Sequence, residues 1–400
     1  MTHLLALTRR YYRVLPSLLT AGLINVFPAA CVLLQPDIVA DSPTSIDVRH
    51  LLSGTDGMAA DRTARQMADA ASSLGIFYIT GCGPLCDLYR TSELFGAAAA
   101  VLSAGRDAPG DVDVSVRRDG FVRGYIGVGG ESGLVGDFVE VKEGFSYGYP
   151  WDGGGAGSSW PPPETELNSM QGPNVWPAEK DGAFRPWHRG TLEESFDEFT
   201  ELAGNISRAL LKEAGSTVDD SGPGRDGGET ISLVRIFRYL PCASTEMPGA
   251  SPSMKKIGSS AHTDWGTLTL ILQDDAEQGL EYLHAGVWRP VPHEEKALVV
   301  VAGDLLSLMS EGKYRSPVHR VQHGNAERTS FVFFLYPDYG ADMPAAGRCS
   351  AGSDAGANSV ELQEDVRYNT LTVQGDECAA NATFGKWISK KWAGVQEEPP

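Results

Sequence analysis

Apolar positions along the chain change their period about halfway through. Residues 61–74 place Ala64, Met67, Ala68, Ala71 and Leu74 at helical spacing. That spacing predicts an amphipathic helix with Asp61 as N-cap and Gly75 as its stop. A short strand is expected before it in Ser45–Leu52, a buried strand after it in IFYITG (76–81), and a second helix over 85–103. Leu192, Phe196, Phe199, Leu202, Ile206, Leu210 and Leu211 line one face of a long helix from about Thr191 to Glu213. From Glu229 to Pro337 the pattern shifts to short apolar or alternating runs: ISLVRIFRYL, HTDWGTLTLIL, GLEYL, VWRPV, ALVVVAG, LLSLMS, HRVQH and RTSFVFFLY. Many short strands separated by Gly and Asp turns predict a sandwich or barrel.

Stretches without periodicity separate these elements. Residues 150–177, 215–228 and 345–359 are rich in Gly, Pro, Ser or Ala and read as loops, and an amphipathic helix is expected within 383–395. The chain therefore divides into a leader (1–36), a helix-rich region (37–214), a strand-rich core (229–340) and a C-terminal loop and helix (341–400). The leader carries Arg9, Arg10 and Arg13 and an apolar run from Val14 to Leu34, with no acid before Asp37. Pro16, Pro28 and interspersed polar residues weaken a membrane-spanning reading. The leader is expected to lie outside the fold, in a cytoplasmic protein or as an organellar transit peptide.

Composition narrows the function. A hydrophobic content of 42% suits a globular chain, and a formal charge of −19 leaves no basic surplus for a phosphate backbone. Nucleic acid is excluded as a partner, and a monomer is expected. Six cysteines (31, 82, 86, 242, 349 and 378) do not make a disulfide framework. They are expected to be reduced thiols, the close pair Cys82 and Cys86 included.

The chemistry lies in the strand-rich core. His262 and Asp264 are two apart at the start of a predicted strand, where i and i+2 share a face. His319 ends another strand-like segment, KYRSPVHRV. Two imidazoles and one carboxylate form a facial triad that leaves three positions of an octahedron open, the arrangement that suits iron(II). An H-x-D pair alone is more often a surface pair. Arg328 and Ser330 in RTSFVFF add an Arg fork and a hydroxyl on one strand face, a receptor for a small carboxylate. Other histidines read as structural. His284 and His293 flank a hairpin, His188 precedes a helix, and His323 sits roughly 13 Å along the strand from His319. Trp151, Trp160 and Trp176 lie in the Gly/Pro loop, as a cover for a site or as plain surface.

Over about residues 44–395 the chain resembles the isopenicillin N synthase-like, 2-oxoglutarate- and iron-dependent oxygenases. The resemblance is carried by AHTDWGTLTLILQDD (261–275), GLEYLHAGVWRPVP (279–292), VVAGDLLSLMSEGKYRSPVHRV (300–321) and ERTSFVFFLYPD (327–338). Upstream it continues in IDVRHLL, LGIFYITGCG (74–83), RGYIGVGGE (123–131), VKEGFSYG (141–148) and GPNVWP (172–177). It implies an α+β fold with a mainly β core: a distorted double-stranded β-helix, or jelly roll, with flanking helices. It implies iron held by His262, Asp264 and His319, and 2-oxoglutarate whose far carboxylate is gripped by Arg328 and Ser330. RIFRYLP (235–241) matches the family's R-x-N-Y-Y-P segment and places Tyr239 near the cosubstrate, although Phe237 stands where Asn is usual. The implied reaction consumes dioxygen, hydroxylates a small organic substrate and releases succinate and carbon dioxide. The resemblance leaves open an oxidase that needs no 2-oxoglutarate, and a non-catalytic jelly-roll binding protein.

Overall fold

The computed structural model describes residues 42–108, 122–129, 134–135, 138–151, 170–179, 183–216, 230–241, 255–274, 279–343 and 383–389. All lie within the unit Ala40–Pro400. The leader, Trp160, the loop 345–359 and the cysteines at 31, 242, 349 and 378 fall outside the described residues.

The N-terminal part begins with β1 (Ser45–Asp47), α1 (Arg49–Ser53), α2 (Gly57–Ser73) and β2 (Ile76–Thr80). The segment Ser45–Leu52, expected as one strand, is β1 and then α1. Parallel pairing of β1 with β2 lasts three rungs, and the chain then turns into a helix that ends at Gly54, in the left-handed region. The helix α2 starts earlier than its apolar periodicity shows, because Asp56 rather than Asp61 caps it through the Ala59 amide. Its stop is as expected: Gly75 has φ +73°, and a Cβ there would meet the Arg315 carbonyl.

A 3-10 turn at Gly83–Cys86 precedes α3 (Leu88–Arg106), whose N-cap is Asp87. The turn brings the Cα atoms of Cys82 and Cys86 to 5.3 Å, ordinary disulfide spacing, and the two are bonded. The expectation of reduced thiols is corrected at this pair. Then come β3 (Gly124–Ile126), β4 (Leu134–Val135), β5 (Phe138–Glu140) and β6 (Lys142–Gly148), followed by α4 (Pro186–Ala214). Pro186 at its first position pre-sets the helical φ and starts α4 a turn before the apolar stripe.

The strand-rich part contains β7 (Leu233–Tyr239), β8 (Lys255–Ile257), β9 (Ser259–His262), β10 (Leu268–Gln273), β11 (Leu280–His284), β12 (Val287–Pro290) and β13 (Ala297–Ala302). It closes with α5 (Asp304–Met309), β14 (His319–Val321) and β15 (Arg328–Leu335). LLSLMS, expected as a strand, is α5: Leu305, Leu306 and Leu308 are buried from a helical turn that opens after Gly303. A C-terminal helical segment at 384–389 packs Phe384, Trp387 and Ile388 beside Tyr336 and Leu233.

Two sheets enclose the site. One runs β1-β2-β13-β10-β15-β7-β6-β3 and the other β12-β11-β14-β9. Alternation decides what each face of the large sheet does. Leu268, Leu270, Phe331 and Phe333 point outward to α2, α3 and α4, where Phe199 stacks on Phe333 at 5.6 Å. Phe237, Tyr239, Ile271 and Val332 point inward and pack with Leu280, Tyr282 and Val321 of the smaller sheet. This is the jelly roll with flanking helices, and one end of its interior is polar.

Candidate active site

That polar end is a pocket lined by His262, Asp264, His319, Gln273, Arg328, Ser330 and Tyr239 among apolar neighbours that include Phe237 and Phe334. His262 ends β9 and His319 begins β14, and the two are Cα partners across the sheet. Asp264 lies two residues past the end of β9, so a turn rather than a shared strand face brings it in. Its carbonyl accepts the Asp304 amide at 2.8 Å, and Thr263 Oγ1 donates to Asp304 Oδ2 at 2.9 Å. The start of α5 thus pins the ligand loop.

Asp264 Oδ1 lies 3.6 Å from His262 Nε2 and 3.7 Å from His319 Nε2. One donor atom from each residue falls within 4.8 Å of the others, as one ion requires. Both Nδ1 atoms face backbone carbonyls, His262 that of Ser260 at 2.6 Å and His319 that of Pro317 at 3.1 Å. A proton on Nδ1 leaves each Nε2 lone pair aimed inward. Desolvation, then the neighbouring His319, push the His262 pKa down to about 4, so its ring is neutral near pH 7, the form that ligates. Asp264 Oδ2 is buried without a hydrogen-bond partner among the described residues. A carboxylate oxygen in that state is costly unless a cation meets it. Two imidazoles and this carboxylate are a donor set that fits iron(II).

Along the pocket, Arg328 and Ser330 project from the inner face of β15, and both are buried. Arg328 Nη1 meets Gln273 Oε1 at 3.4 Å, and no carboxylate lies within 4.0 Å of its guanidinium among the described residues. Gln273 is the Cα partner of Ser330. Sequence reasoning missed Gln273, although it continues the inward set Thr269, Ile271, Gln273 on β10. Phe237 faces Ser330 across β7 and β15, and its ring fills the wall where the related segment has Asn.

The remaining candidates stay apart from the pocket lining. His323 bonds the Leu240 carbonyl at 2.7 Å, and β14 has already ended at Val321. His188 accepts the Arg185 amide at 2.9 Å as part of the α4 cap and stacks on Phe184. His284 and His293 lie outside the pocket lining. Trp151 is buried near Tyr149, and Trp176 stacks on Phe145 and Phe184, so these two pack into the body of the protein.

Comparison with known proteins agrees with this geometry. Residues 230–337 match the model of the 2OG-Fe(II) oxygenase superfamily. The chain is 30% identical over 333 residues to clavatol oxidase claD of Penicillium crustosum, covering 80% of this chain and 94% of that one. It is also 30% identical over 303 residues to the 2-oxoglutarate-dependent dioxygenase citB of Monascus ruber, covering 73% and 83%. A Neurospora crassa protein solved with alpha-ketoglutarate and thymine has the same fold, with TM-score 0.61, 20% identity and coverage of 88% and 96%.

Proposed function

The chain belongs to the 2-oxoglutarate- and iron(II)-dependent oxygenases, and from that premise we propose that it hydroxylates a small organic substrate at the pocket just described. His262, Asp264 and His319 would hold iron(II). Arg328 and Ser330 would hold the far carboxylate of 2-oxoglutarate, with Tyr239 and Gln273 packing around it. The observation that carries the reading is the buried Arg328 guanidinium, with no carboxylate beside it among the described residues, in the same pocket as the triad. A buried cation of this kind calls for an anion, and a planar fork matches a carboxylate two-pronged.

Iron(II), when bound, supplies the oxidative chemistry: 2-oxoglutarate and dioxygen are converted to succinate and carbon dioxide while the substrate is oxidised. The protein contributes placement. The Arg328–Ser330 end fixes one terminus of the cosubstrate and so sets the position of the other against the triad. Phe237, Ile271, Val332 and Phe334 keep the space between dry.

The test is a small-molecule screen read as succinate released by the iron(II)-loaded protein with 2-oxoglutarate and dioxygen. A substrate should raise succinate formation above the uncoupled background and appear with one added oxygen by mass. Substrate oxidation that proceeds without 2-oxoglutarate would overturn the proposal.

A further inference from the structure

Two charged side chains behind the metal end of the pocket remain outside the ligand set. Glu140 closes β5 and Lys142 opens β6; two residues apart on extended backbone, they project to the same side. Both are buried, at 5% and 6% exposure, and Lys142 Nζ lies 2.8 Å from Glu140 Oε2. Lys142 Nζ also sits 4.5 Å from the centre of the Phe237 ring.

Each member of the pair also holds β9. Glu140 Oε1 accepts the Ser260 amide at 2.7 Å, and Lys142 Nζ donates to Ser259 Oγ at 3.4 Å. β9 is the outer strand of its sheet, and its register with β14 shifts between the His262–His319 and Ser259–Val321 pairs. Such an irregularity takes backbone groups out of the ladder, and here Glu140 satisfies one. The carbonyl of the same Ser260 accepts from His262 Nδ1 at 2.6 Å.

We infer that Glu140 is a positioning residue for the metal centre, with Lys142 as its buried counter-charge. Glu140 holds Ser260, and through the Ser260 carbonyl it sets the ring orientation and Nδ1–H tautomer of His262. This rests on the reading of His262, Asp264 and His319 as the metal ligands. Partners of this kind orient ligands, and their loss typically weakens metal binding about 10–100-fold.

The test uses the full chain and cobalt(II) as the probe, titrated by its visible absorption. Because both charges are buried, Glu140→Ala is paired with Lys142→Met so that the pair is removed together. This double variant, folded by circular dichroism, should bind cobalt(II) at least about tenfold more weakly than the parent. Glu140→Gln with Lys142→Met keeps an acceptor for the Ser260 amide and removes both charges. It should stay within about threefold of the parent and keep the downfield Nδ1 proton resonance of His262. A parent-like affinity in the first double variant overturns the inference. So does an equal loss in both, or loss of the His262 resonance in the second, which decides the matter alone if the first does not fold. His319→Ala separates this inference from the ligand reading. If it loses cobalt(II) while the first double variant does not, only the clamp is wrong; if it keeps cobalt(II), the ligand assignment itself is wrong.

Discussion

Arg328 and Tyr239 are Cα partners across β15 and β7, and the guanidinium carbon lies 4.3 Å from the centre of the tyrosine ring. The ring packs against the cation and restricts it before any ligand arrives.

Losing the fork should weaken the cosubstrate site more than the fold. Truncating one partner of a buried charged pair typically costs about 2–5 kcal/mol. Arg328→Ala should therefore raise the 2-oxoglutarate dissociation constant at least about tenfold. Arg328→Lys should fall between, keeping the charge and losing the two-pronged geometry. Calorimetric titration of the anaerobic iron(II) protein checks this; unchanged binding in Arg328→Ala would remove the residue from the site.

Metal binding should be visible as stability. A ligand that binds only the folded state at a hundred times its dissociation constant adds about 2.7 kcal/mol. Iron(II) or cobalt(II) should raise the melting temperature of the parent, and a chelator should reverse the rise. Asp264→Ala and His319→Ala should remain folded and show no such response. A parent-like rise in either would count against the triad.

Gly303 lies where the ligand loop meets α5. A Cβ added there would fall 2.1 Å from the Gly266 carbonyl oxygen and 3.2 Å from that of Asp264. Backbone rather than a flexible side chain stands in the way, so Gly303→Ala must displace the loop, at about 1–3 kcal/mol by analogy with overpacked cores. Thermal melting should show the loss, and metal titration should show weaker binding, because Asp264 moves with the loop.

A chain starting at Asp37 retains all of the unit Ala40–Pro400 and every described residue. It should fold and keep full 2-oxoglutarate turnover; aggregation on truncation would show that the leader packs on the core. Residues 1–36 fused to a fluorescent reporter are expected to give a diffuse cytosolic signal. Organellar capture would establish them as a transit peptide instead.

Much of the site was legible without coordinates, because its chemistry needs particular side chains. H-x-D and R-x-S are common taken singly, the latter recurring at Arg90–Ser92 and Arg348–Ser350, and it is their order within the family-like stretches that makes them stand out. The inner-face partnership of Arg328 and Ser330 also follows from strand alternation alone. The alternation of β10 and β15, the buried face of α4 and the stop at Gly75 are likewise local properties, set by each segment's own side chains. What tertiary structure decided depends on partners distant in the chain. LLSLMS has the apolar content of a strand or a helix, and it is α5 because Gly303 abuts Gly266 and the Asp304 amide bonds Asp264. Asp264 joins the histidines through that same contact, although it lies beyond the strand that carries His262. Gln273 reaches Arg328 only because β10 pairs with β15, and Glu140 reaches Ser260 across 120 residues. Periodicity reports which face of an element is buried; which element covers it, and which polar group it meets there, is set by packing over the whole chain.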